Sequence, residues 1–191
     1  MTYRIHELSK LEYHDSRKFL LRLRDLQERV AVSELPDKVE NLRKRELKKY
    51  LEVRQAALFC YGIGNAVLNT DVFHALYESS DYDCVALWER DGEQVFTPIQ
   101  LKELVPESLK STATLANELE KLAKYVAPED LVVALHVNRK GRLEFAKIQM
   151  PRLNVAEVRL YGAISPDQGR WFLYGNLPME PEYYEFDFPM G

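Results

Sequence analysis

Apolar positions recur along this chain in two periods, and the change from one to the other divides it. Between residues 5 and 32, Leu20, Leu23, Leu26 and Val30 fall near helical spacing, with Arg17, Lys18, Arg22, Arg24 and Arg29 on the polar face. This predicts one long helix. Ser33-Glu34-Leu35-Pro36-Asp37 interrupts it, because proline removes a backbone donor and restricts the residue before it. A second helix is expected from about Lys38, striped by Val39, Leu42, Leu47, Leu51 and Leu58, and ending near Gly62-Ile63-Gly64-Asn65. Two charged helices around a short break make an N-terminal helical hairpin or arm. The paired glycines suit a C-cap or a close helix contact, since a phosphate loop would need a strand before it. Asp71 to Ser79 reads as a short helix capped by Asp71, with Phe73, Leu76 and Tyr77 facing inward.

The period then shortens to two. Cys84 to Trp88 is an apolar run, Arg90-Asp91-Gly92-Glu93 a turn, and Val95, Phe96 and Ile99 lead back to Gln100-Leu101-Lys102. Asp-Gly between such runs predicts a β-hairpin, because glycine relieves the positive φ of the turn. Alternation puts Gln100 and Lys102 on one face and Leu101 on the other. A carboxylate at the start of the first strand, Asp83 or Asp81, can then sit beside an amide and an ammonium. Such a cluster suits a divalent ion or a phosphate better than a core.

Beyond the hairpin, Leu115, Leu119, Leu122 and Val126 stripe a helix over about 113–126, and 131–137 is a nearly continuous apolar strand. Residues 142–149 fit a strand or a short helix, 155–161 a strand, and Trp171 to Tyr174 a last one. Strands, a helix, then an apolar strand predict an α/β fold whose mixed central sheet is flanked by helices and contains a crossover. The segment 178–191 holds four carboxylates, three prolines and four Tyr or Phe residues. It reads as an extended acidic aromatic tail, draped over an apolar groove or docked on a partner. The expected units are therefore an arm over 1–54, a core over 55–177 and the tail.

Composition narrows the function classes. A chain of 191 residues, 46% apolar and 29% charged, supports one good core. No apolar run approaches membrane-spanning length and the first residues lack a signal-peptide segment, so no membrane partner and a cytoplasmic location are expected. Cys60 and Cys84 are too few for a disulfide framework or a thiolate zinc site. His6, His14 and His74 stand alone in predicted helices, and His136 reads as a hydrogen-bonded sheet histidine, which disfavours zinc. The net charge of −4 divides into +4 over residues 1–54 and −8 over 55–191. A basic arm can contact phosphates even so, because the field at the contact decides. Tyr161, Trp171 and Tyr174 would be stacking platforms for bases if exposed, and core or dimer contacts otherwise. Residues 5–60 carry more apolar stripe than a lone arm needs, which predicts a homodimer or a protein partner.

With Asp83, Gln100 and Lys102 as its polar marks, the order helix, short helix, hairpin, helix, strand resembles the PD-(D/E)xK, or restriction-endonuclease-like, nuclease superfamily in a divergent QxK form. The resemblance covers roughly residues 45–137. It implies a core in which a carboxylate opening one strand and the (D/E/Q)xK of the next bind a divalent metal, usually Mg2+ (or Mn2+), and orient a water. Asp83 matches the aspartate, Gln100-Leu101-Lys102 the QxK, and Glu52, or second to it Glu46, the glutamate of the preceding helix. The implied metal ligands are Asp83, Gln100 and Glu52. Lys102 is implied as positive charge beside the water or phosphate, and DNA phosphodiester hydrolysis as the activity. Gln100 brings a neutral oxygen where an acid would bring a charged one, which leaves Asp83 as the main ligand, helped by Glu52, a backbone carbonyl or waters. A chain that kept the frame and lost the chemistry would be a binding or scaffolding protein. In that case Asp83 caps a strand, Gln100 lies at a solvated sheet end and Lys102 guards an edge.

Overall fold

The computed structural model describes residues 2–31, 47–77, 81–123, 130–141, 143–148 and 151–191. Its helices are α1 (Thr2–Leu8), α2 (Ser16–Ala31), α3 (Lys48–Ile63) and α4 (Leu115–Leu122). Its strands are β1 (His14–Asp15), β2 (Phe73–Leu76), β3 (Cys84–Arg90), β4 (Glu93–Leu104), β5 (Val132–Val137), β6 (Glu157–Ala163), β7 (Arg170–Gly175) and β8 (Glu182–Asp187). They form one eight-stranded sheet in sequence order. The β4–β5 and β5–β6 pairs are parallel and the others antiparallel. The mixed sheet flanked by helices is therefore as expected.

Each parallel step needs a crossover. The first contains α4, whose Leu119 and Leu122 are buried with Val85, Leu104, Val133 and Leu135. The second contains a 3₁₀ turn at Phe145–Lys147, and Phe145, Ile148 and Leu153 pack into that same cluster. Both crossovers thus cover one face, as a single crossover hand requires for two steps in one direction. The other face is covered by α2 and α3, with Leu20, Phe59 and Cys60 packed on Cys84, Ile99, Leu101 and Tyr161. The β3–β4 hairpin turns at Asp91 and Gly92, φ 55° and 80°, the pair of positive values that a two-residue turn of this twist demands.

Several expectations are corrected. The long helix over 5–32 is two helices with β1 between them. Ser9 Oγ donates to the His6 carbonyl at 3.0 Å, Tyr13 OH to the Leu8 carbonyl at 3.0 Å, and Asp15 Oδ1 accepts the Lys18 N–H at 2.9 Å. Side chains thus end one helix and cap the next, and Asp15-Ser16 was the readable start signal. The helix expected over 71–79 is β2 at its centre, because pairing with β1 and β3 outweighs the local preference of four residues. The break at 33–37, the start of a helix near Lys38, and Glu46 lie outside the described residues, as do 78–80, 124–129 and part of 142–149.

Within the tail, 182–187 is β8, hydrogen-bonded to β7, with Phe186 and Phe188 buried. Gly62 lets α3 meet it, since a Cβ there would lie 2.6 Å from the Phe186 ring. At Gly64 a Cβ would lie 2.5 Å from the Thr70 carbonyl oxygen. Both glycines serve close packing. Because Phe186 anchors β8 beneath α3, Phe186→Ala should lower stability by about 3–5 kcal/mol, read as a shift of the urea midpoint. An unchanged midpoint would show that β8 is not part of the cooperative core.

Candidate functional site

The site begins where two strands part. The β3–β4 ladder runs from Arg90↔Glu93 to Cys84↔Ile99, and one further bond joins Asp83 N to Ile99 O at 2.9 Å. Past that point β4 continues through Leu104 paired with β5, from Gln100↔Val133 to Leu104↔Val137. The chain before β3 instead joins β2, with Tyr77 N on the Asp83 carbonyl at 3.0 Å. A fork opens between them. Peptide groups along a strand address alternate neighbours, so the N–H and C=O of Leu101 face the fork while Leu104 O accepts Asn138 N on the β5 side.

An unpaired Leu101 N–H would be left in the fork without the Asp83 carboxylate. Asp83 Oδ2 accepts it at 2.7 Å, and Gln100 Nε2 donates to the same oxygen. Alternation sets Gln100 and Lys102 on the face shared with Leu104 and α4, as the sequence predicted, and Leu101 and Glu103 on the α3 face. From that second face α3 presents Glu52, whose Oε1 lies 3.1 Å from Lys48 Nζ one turn earlier. Asp83, Gln100 and Lys102 are thus brought together, and Glu52 is near enough for its charge to act on Asp83.

Electrostatics at the fork oppose one another. Burial raises the Asp83 pKa and the Glu52 charge raises it further, while the Leu101 N–H, Lys102 and Lys48 pull it down. Burial wins, and the net shift is upward from 3.8. The oxygens that can turn to the fork are two carboxylates, the Gln100 amide oxygen and the Leu101 carbonyl. All are hard donors, which fits Mg2+ or Mn2+ by type and poorly by charge. Among the described residues no three His, Cys, Asp or Glu side chains are grouped closely enough to hold a metal ion.

Other candidates fall elsewhere. Tyr161 and Trp171 are fully buried, so neither can stack on a base. They pack with His136, whose ring lies 5.0 Å from Tyr161 and whose Nδ1 is 3.9 Å from Glu103 Oε1. Tyr174 packs on Phe145, centroids 4.2 Å apart. His74, read from sequence as helical, is a buried β2 residue bonded to Ser16 Oγ at 2.9 Å, and burial followed by His14 lowers its pKa to about 4. Two clefts, of about 450 and 260 Å³, are lined by residues other than Asp83, Gln100, Lys102 and Glu52. Sequence reading missed the Leu101 N–H, which only the parting of the strands creates. It also missed Lys48, although spacing of four from Glu52 made that pair readable.

No protein-family model, curated protein or solved structure matches this chain. The geometry of the fork therefore carries the functional argument. No helix among the described residues is long and apolar enough to cross a membrane.

The balance at Asp83 can be measured. Its ¹³Cγ shift should titrate above 3.8, further above in Lys102→Met, and lower in Glu52→Gln. A raised folded-state pKa means that Asp83 favours folding below the unfolded value and that this contribution is lost as pH rises through the folded one. Asp83→Asn should accordingly gain in stability relative to wild type across that window. Titration at or below 3.8 would show that the hydrogen bonds, not burial, dominate.

Proposed function

We propose that this protein is a metal-dependent nuclease that hydrolyses DNA phosphodiester bonds, on a restriction-endonuclease-like core running from α3 to β5. The observation that carries the reading is the Asp83 carboxylate seated on the Leu101 N–H in the β3–β4 fork, with Gln100, Lys102 and the charge of Glu52 gathered around it. The order of α3, the β2–β3–β4 meander, α4 and a strand parallel to β4 supports it.

Asp83 and Glu52 would hold Mg2+ or Mn2+, with the Gln100 amide oxygen and the Leu101 carbonyl as neutral donors. When bound, the ion supplies positive charge to the phosphodiester and acidifies a coordinated water. The chain supplies the rest. Lys102, on the same face of β4 as Gln100, puts a cation where negative charge develops on phosphorus-bound oxygens. Lys48, exposed on the first turn of α3, offers a second to the backbone of the substrate. The neutral Gln100 favours a second reading, a nuclease-like binding or scaffolding protein whose fork no longer cuts.

Incubation with single- and double-stranded DNA and with RNA, each with Mg2+, Mn2+ or EDTA, separates these. The nuclease reading expects cleavage that EDTA abolishes and that Asp83→Asn or Lys102→Met slows at least ~10²-fold. It also expects half-maximal activity at lower Mg2+ in Gln100→Glu, which adds a charged ligand. Equal background from wild type and variants on every substrate would leave the binding protein. Ile5 on α1 and Leu26 on α2 are more than half exposed, which supports assembly through these helices. Light scattering should then report twice 22.3 kDa, and a monomer at every concentration would reject self-association.

A further inference from the structure

Between α3 and the sheet, beside the starts of β5 and β6, lies the cavity of about 260 Å³. Phe59, Ile63 and Val67 line it from the helix side, and Ala86, Ile99 and Val132 from the strands. Asp83, Gln100, Lys102 and Glu52 take no part in it. Its helix side is not plain α-helix. Val67 and Leu68 reach the cavity from a π-helical turn over Gly64–Leu68, which continues α3 and ends at Asn69, φ 51°. Such turns are rare and recur at functional sites.

One cation joins this lining from β6. Arg159 is 9% exposed, and its stem lies against Gly175 of β7, where a Cβ would stand 2.7 Å from the Arg159 Cγ. Arg159 Nε donates to Glu157 Oε2 at 2.5 Å, and the Glu157 side chain is 33% exposed. That bond uses Nε alone. Among the described residues neither Nη nitrogen of Arg159 has an acceptor. A guanidinium carries five N–H donors, so four remain beside an apolar cavity. A buried charge with most of its donors unmet destabilises the fold, and a second carboxylate on the Nη pair would relieve this.

We propose that the cavity binds a small alkyl carboxylate, its chain among Val67, Ile99 and Val132 and its carboxylate on the Nη pair of Arg159. The lining is mostly branched aliphatic, which suits an alkyl chain, and one buried cation fixes the orientation. The volume falls just below the ~300–1,000 Å³ of drug-sized sites, so the ligand is small. Glu157 and Asp130 also line the cavity and oppose an anion. Glu157 is already bonded at Nε and partly in water, whereas the planar guanidinium presents a separate edge, its Nη pair, to a second acid.

Calorimetric titration of the whole chain with octanoate, octanol and octylamine, each below its micellar range, tests this in wild type, Arg159→Met and Val67→Phe. Octanoate should bind wild type about tenfold or more tighter than octanol, with octylamine weaker than either. Arg159→Met should lower octanoate affinity by about the same factor and leave octanol unchanged. Val67→Phe, which fills the cavity, should weaken both. In wild type, nuclear Overhauser contacts should join the octanoate chain to the indole of Trp88, which lines the cavity. Equal affinity for octanoate and octanol, a preference for octylamine, or unchanged octanoate affinity in either folded variant overturns the proposal. Absence of octanoate binding or of the Trp88 contacts in wild type also overturns it, and these readings decide the matter where neither variant folds.

Discussion

The hydrogen bond from the Leu101 N–H to Asp83 is the contact on which the site depends. β4 belongs to two ladders, antiparallel to β3 below Gln100 and parallel to β5 from Ile99 onward. Where the first ladder ends and the second continues, one edge of β4 loses its partner. A backbone donor there must be satisfied or the fold is penalised by roughly 1–3 kcal/mol. A carboxylate does this well, because a charged acceptor makes a stronger bond than a neutral one. The same choice carries a negative charge into a half-buried place, where desolvation lifts its pKa against the pull of Lys102 and Lys48. Structural need and chemical capacity therefore meet in one side chain.

The second constraint is the placement of α3. It is buried nearly all round through its C-terminal half, so its position is set by several contacts at once. Phe186 presses on Gly62, Tyr161 reaches the Gln55 carbonyl, and Phe59 packs beside Tyr161. These contacts, on the α3 face of the sheet, reach β6 and β8. They fix the helix whose first turns bear Lys48 and Glu52. β8, though last in sequence and at the sheet edge, thus helps to hold a residue at the fork. Packing defects there should be felt in the site before they are felt in the central strands.

How much of this was legible followed from how local its causes are. The β3–β4 hairpin was readable because alternation and Asp-Gly agree within twenty residues, and the same alternation put Gln100 and Lys102 on one face. The mixed sheet followed from the helix and apolar strand after it. β2 was not readable: four residues, Phe73 to Leu76, hold their strand through neighbours on both sides, and Asp71 imitated a helix cap. The split of the first helix hung on Asp15, and β8 on a Phe186 contact with a helix more than a hundred residues earlier. For the site, residue types were legible and the fork was not, because the parting of strands is a property of the whole sheet.

The charges that meet at the fork bear on what the proposed chemistry would require. Asp83 and Glu52 face Lys102 and Lys48, so the fork is close to neutral, and Gln100 keeps it so. A divalent cation arriving alone meets two ammonium groups, and a phosphodiester arriving alone meets two carboxylates. Arriving together, each supplies the charge that the other lacks. On the nuclease reading the two ligands are therefore coupled, and by linkage each must raise the affinity of the fork for the other by the same factor. A carboxylate in place of Gln100 would bind the ion more firmly without substrate and would weaken that coupling. On that reading the neutral amide would make metal binding conditional on the phosphate. On the same reading this local balance would reconcile a polyanionic substrate with the net −8 of residues 55–191, since screening confines the field that matters to groups within about 10 Å of the contact.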